Sequence, residues 1–89
     1  MSRLIPAVER IRRARLLIQK ARNLPVPAEG GRHDFSYIAQ VKAHLQDARD
    51  LVKFIPKSPS ATPEIKEQVS QIFADAEQAD REILQQPLD

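Results

Sequence analysis

The chain has 89 residues, no cysteine and a formal net charge of +2. A chain this short holds one domain at most and buries only roughly 60% of the surface that its unfolded form exposes. Without cysteine there is neither a disulfide nor a thiolate metal site, a composition that fits a reducing compartment.

The opening Met-Ser-Arg-Leu-Ile-Pro runs into charge and not into a continuous apolar stretch. Neither a secretory signal nor a membrane span is expected, and the expected location is intracellular, in cytoplasm or nucleus.

Charge is unevenly distributed. Residues 6–23 carry six cations and one acid, Glu9, whereas residues 63–86 carry six acids and two bases, Lys66 and Arg81. Residues 34–55 balance three of each. The basic segment either lies beside the acidic one, each compensating the other, or the two form separate charged surfaces for two partners.

The first helix is expected to begin near Pro6, since proline suits a first helical turn and pushes Ile5 towards an extended shape. Leu4, Ala7, Ile11, Ala14, Ile18 and Ala21 recur at three and four residues and make one apolar seam. Val8, Leu17 and Leu24 widen it, and Pro25 and Pro27 end it. The following Pro25-Val26-Pro27 should be stiff and Gly30-Gly31 the flexible turn. The two glycines do not make a phosphate loop, because no strand precedes them and no Gly-Lys-Ser/Thr ending follows.

Asp34 is a good N-cap for the second helix. Its seam reads Ile38, Val41, Leu45, Ala48, Val52 and Ile55, with Tyr37, His44 and Leu51 beside it and Pro56 as the stop. Thr62-Pro63-Glu64 supplies an N-cap, a first-position proline and an early acid for the third helix. Ile65, Val69, Ile72, Ala76, Ala79 and Ile83 form the third seam, flanked by Leu84 and closed by Pro87. No segment alternates at period two, so no strand is expected.

The expected fold is all-α: an antiparallel up-down-up three-helix bundle filling a single domain over residues 1–89. Its helices should cover about 5–23, 35–55 and 63–86, and its loops about 24–34 and 56–62. The first and third helices would then run parallel. Arg10, Arg15 and Arg22 would border the core on one, and Asp75, Glu77 and Glu82 on the other. Pairs between those sets would select register and neighbour more than stability, at about 0–1 kcal/mol each. The same seams could also assemble between chains into a six-helix dimer.

Catalytic chemistry finds little support. The histidines, His33 and His44, show no metal-ligand spacing, and His44 with Asp47 reads as an ordinary i, i+3 helix pair. None of the five serines sits in a nucleophile elbow beside a base. We therefore expect no enzyme activity, no cofactor and no metal. Ser58-Pro59 and Thr62-Pro63 have the form of proline-directed phosphorylation sites, and a phosphate on Thr62 would meet a helix N-terminus. That reading holds only for a eukaryotic protein, and the preferred one is ordinary loop and cap chemistry.

Binding surfaces are the richer signal. Arg12, Arg13, Arg15, Lys20 and Arg22 form a basic face on the first helix that suits phosphates, an anionic membrane surface or an acidic protein. The cluster lacks aromatic side chains for base stacking, and helix-turn-helix spacing is missing. The bland alternative is a solvated basic face. Leu16, Phe54 and Phe73 are bulky residues off the seams, one per helix. They read either as isolated exposed side chains or as anchors for a partner helix.

Ile72-Phe73-Ala74-Asp75-Ala76-Glu77-Gln78-Ala79 resembles the third helix of the three-helix MIT-type module, and Tyr37 with Ala43, Leu45 and Ala48 resembles its second. The resemblance covers about half the chain. The ten-residue first loop is longer than that family's, and the family's first-helix signature is missing. It implies a receptor for helical tail motifs, and it extends to small helical subunits of large eukaryotic assemblies; no binding residue carries over from it. The leading expectation is a non-enzymatic helical protein–protein interaction module, a subunit or terminal domain of a larger assembly. The alternatives are a polyanion binder acting through the basic face and an MIT-like peptide receptor.

Overall fold

The computed structural model describes residues 6–85. Three helices pack against one another: α1 (Ala7–Asn23), α2 (Phe35–Val52) and α3 (Pro63–Leu84). Two 3-10 turns interrupt the connections, at Gly31–His33 and Ile55–Lys57. The described residues include no strand.

Each start has a local cause. Pro6 holds φ at −57° and its carbonyl accepts the first helical bond, from the Arg10 amide at 3.0 Å. The Asp34 carboxylate accepts from the Tyr37 amide at 2.9 Å, and the Thr62 hydroxyl oxygen accepts from the Ile65 amide at 3.2 Å. Both bonds satisfy an amide that the first turn of a helix otherwise leaves without a partner. Gly30 precedes the first 3-10 turn with φ at +78°, a left-handed conformation that costs glycine little.

Polar contacts between helices fix their directions. Arg10, early in α1, reaches the carbonyl of Leu51, late in α2. Lys42, in the first half of α2, approaches Asp80, late in α3, at 3.7 Å. Arg22 at the end of α1 pairs with Glu82 at the end of α3. Hence α2 is antiparallel to both neighbours and α1 is parallel to α3, the up-down-up order expected from the sequence.

The seams form the core. Ile11, Ala14, Ile18 and Ala21 are buried on α1, and Val69, Ile72, Ala76, Ala79 and Ile83 on α3. Val41, Leu45, Ala48 and Val52 are fully buried on α2. Alanine at five of these thirteen positions lets helix axes approach closely, while Leu45 and Ile72 fill the volume between them. No buried side-chain nitrogen or oxygen lacks a hydrogen-bond partner among the described residues.

The structure corrects the boundaries of the second helix. It was expected to run to Ile55 but stops at Val52. Pro56 has no amide hydrogen, and its ring would clash with the carbonyl four residues back, that of Val52. The chain turns through Lys53 and Phe54 into the 3-10 turn, which keeps Ile55 buried. At the other end, Tyr37 takes the core position expected for Ile38, which is only half-buried. Both residues lie at helical spacing from Val41, and the tyrosine ring offers more apolar area. The expected positions Leu4, Ile5 and Gln86 lie outside the described residues.

Candidate interaction groove

A groove follows the α1–α2 pair and reaches α3 at one end. It consists of three hollows that share residues. The largest, about 470 Å³, lies among Ala7 and Arg10 of α1, Leu51 at the end of α2, Phe54 in the turn that follows it, and Ile65 of α3. The next shares Arg10, Asp50 and Leu51 with it and adds Leu17 and Asp47. The third shares Leu17 and Leu51 and adds Arg13, Leu16 and Lys20. Leu51 borders all three.

The groove exists because the seams are narrow. Leu17 and Leu51 sit beside their seams and are only half-buried, so they form an apolar floor. Leu16 and Phe54 lie further out and are 50% and 64% exposed. Two of the three off-seam residues singled out from the sequence therefore share one surface. Phe73, 36% exposed on α3, borders none of the hollows.

Arg10 crosses this floor. Its Nη1 donates to the Leu51 carbonyl at 3.2 Å. That carbonyl belongs to the last turn of α2, where helix oxygens lack intrahelical partners and the helix dipole favours a cation. The sequence had suggested that Arg10 borders the α1–α3 interface and pairs with an acid there; the structure places it on α2. Of the expected cross-interface pairs, Arg22 with Glu82 forms, whereas Glu77 turns to Arg81 within α3 at 3.0 Å. Arg15 and Asp75 are exposed and make no salt bridge among the described residues.

The basic face of α1 divides in the same way. Glu9 accepts from Arg12 Nε at 2.9 Å and from Arg13 Nε at 3.2 Å, so one carboxylate holds two of the five cations. The Arg12 bond, with Arg13 adding to it, lowers the Glu9 carboxyl to about 2. Arg22 is engaged by Glu82, whose carboxyl that bond also holds below the usual range. Arg15 and Lys20 have no carboxylate partner among the described residues.

Phe54 is exposed but not bare. Lys53 and Lys57 place their ammonium groups 5.1 and 5.4 Å from the ring centre. Such contacts contribute about 0.5–1 kcal/mol at exposed sites and bring positive charge to this end of the groove. Lys53 also pairs with Asp50 at 3.2 Å. Hydrogen bonds from Gln46 and then Lys53 hold the Asp50 carboxyl below its ordinary range.

Ser58 and Ser60 lie at the mouth of the largest hollow with their hydroxyls 2.9 Å apart. Thr62 is exposed, and its hydroxyl oxygen is used as the α3 cap. His44 is half-buried and forms no hydrogen bond with Asp47 among the described residues, unlike the pair that the sequence suggested. No group of three or more His, Asp or Glu side chains converges as a metal site among the described residues. Likewise, none of the described helices is long and apolar enough to cross a membrane.

Comparison with protein-family models, curated proteins and solved structures found no match for this chain. The resemblance to MIT-type modules rests on the residues quoted for it and assigns no family.

Proposed function

We propose that the protein is a non-enzymatic helical interaction module, working inside the cell as a subunit or terminal domain of a larger assembly. The observation that carries this reading is the groove. Leu16, Leu17, Leu51 and Phe54 present apolar surface along α1, the end of α2 and the turn after it, at positions where seam spacing does not require it. Isolated exposed apolar residues need no explanation, but apolar hollows that share Leu51 and are interleaved with charged side chains have the form of a protein-binding surface.

Capture of bound material from cells on the intact chain and on a Leu16→Asp/Phe54→Asp variant tests this reading. Both sites are exposed, so the variant should fold. A defined protein set that survives high salt on the intact chain and is lost from the variant is the expected result. Material equally held by both overturns the groove as the working surface.

A second reading, polyanion binding by α1, draws on Arg15 and Lys20, which lack carboxylate partners among the described residues. Glu9 and Glu82 already engage Arg12, Arg13 and Arg22, which weakens it. It takes over if the captured material leaves with nuclease or with added salt, because phosphate contacts are lost steeply as salt rises.

A further inference from the structure

We infer that the occupant of the groove is an acidic amphipathic helix of a partner protein, laid along α1 and α2 with its apolar side chains on Leu16, Leu51 and Phe54. This rests on the proposed interaction role and goes further by naming the chemistry of the partner.

Shape sets the first condition. Along α1 the groove runs from Ala7 to Lys20, thirteen steps apart in sequence, or about 20 Å of helix. A partner helix of about four turns matches that length. Its anchors would fall on one stripe, at i, i+3 or i+4, and i+7. The described residues offer no strand edge on which an extended peptide could add.

Charge sets the second. Arg10, Arg13 and Lys20 border the floor, and Lys53 and Lys57 flank Phe54. Against these five cations stand Asp47 and Asp50, with Glu9 drawing on Arg13 from the side. Five less three leaves an excess of two positive charges. Asp50 is already bonded by Gln46 and Lys53 and so presents less free charge than its position suggests. Lys20 and Lys57 have no carboxylate partner among the described residues and stand near opposite ends of the strip. Carboxylates on the borders of an apolar stripe would meet these lysines, which favours the encounter and sets register more than it adds raw affinity.

Two labelled peptides test the inference on the full chain. One is a helix of about four turns with leucine at i, i+3 and i+7 and glutamate and alanine elsewhere; the other replaces every glutamate by lysine. Fluorescence polarisation gives affinity, and amide NMR shifts give location. Expected are saturable binding of the acidic peptide with shifts at Leu16, Leu17, Leu51 and Phe54, and binding about tenfold or more weaker for the lysine peptide at low salt. Phe54→Ala should weaken the acidic peptide about fivefold or more, and Phe73→Ala should leave it unchanged.

Equal binding of both peptides in the groove overturns the acidic occupant yet leaves the interaction role standing. Binding of neither, or shifts confined to the outer face of α1, overturns the inference, whereas the interaction role falls only by the capture experiment. Self-association that Phe54→Glu abolishes makes the occupant a second copy of this chain and likewise overturns the inference.

Discussion

Arg10 of α1 and Leu51 of α2 are joined by a 3.2 Å bond from guanidinium to carbonyl, and this contact both closes a helix end and divides the groove. Leu51 meanwhile lines all three hollows. One residue thus serves both the fold, through its carbonyl and its packing on the core, and the candidate site that it borders. Arg10→Met retains most of the apolar stem and removes the donor. The expected loss is about 1 kcal/mol, the usual net worth of such a bond, read as a lower urea midpoint with unchanged slope.

Core and groove leucines should respond very unequally. Leu45 is fully buried, and Leu45→Ala should cost about 2–5 kcal/mol. A domain of this size has only about 5–15 kcal/mol in total, so the variant should melt far earlier. Leu16→Ala, at a half-exposed position, should change stability by no more than about 0.5 kcal/mol. Thermal melts of the two variants give the comparison. A large loss at Leu16 would mean that it belongs to the core.

Thr62 is engaged as the cap of α3, so Thr62→Ala should cost about 1 kcal/mol. Thr62→Asp should restore most of it, since aspartate accepts the same amide bond and its charge suits a helix N-terminus. Chemical denaturation of the three proteins checks the order. If Thr62→Ala were neutral, the hydroxyl bond to the Ile65 amide would carry no weight in solution.

Acid should loosen the bundle in a definite window. The Glu9 carboxyl is held near 2 by Arg12, and Glu82 lies below its usual range because of Arg22. Both values are lower in the folded chain than in the unfolded one, so their stabilising effect is complete above the ordinary carboxylate value of 4.5. It is lost as pH falls from there towards about 2. Melting temperature should therefore decline over this range at low salt. Glu82→Gln should flatten part of the decline, and added salt should shrink the whole effect because these pairs are exposed.

Much of the fold is legible in residue spacing. Apolar side chains at three- and four-residue steps must face one way on a helix, and every fully buried residue of α1 and α3 lies on its expected seam. Caps are legible too, since Asp34 and Thr62 act through amides only three residues away. Where two neighbours both satisfied the spacing, as Tyr37 and Ile38 did, periodicity could not choose, and packing did. Pro56 was read as the stop of the second helix, but its effect on the carbonyl four residues back moves the end to Val52.

The candidate site was legible only in part. Leu16 and Phe54 stood out in the sequence because they break the seams, but nothing in the spacing shows that they border one groove or that Phe73 does not. Arg10 was expected at the α1–α3 interface, because charge composition pairs the most basic segment with the most acidic. Its partner is a backbone carbonyl, which has no residue type to betray it.

Helix number, helix faces and caps follow from interactions within a few residues, and these are written in the order of the chain. Which cations are spent on carboxylates, and which off-seam side chains meet across two helices, depends on distances between residues up to sixty positions apart, as with Arg22 and Glu82. Only the packing of all three helices sets those distances, because each helix is free to turn about its own axis until the others fill its seam.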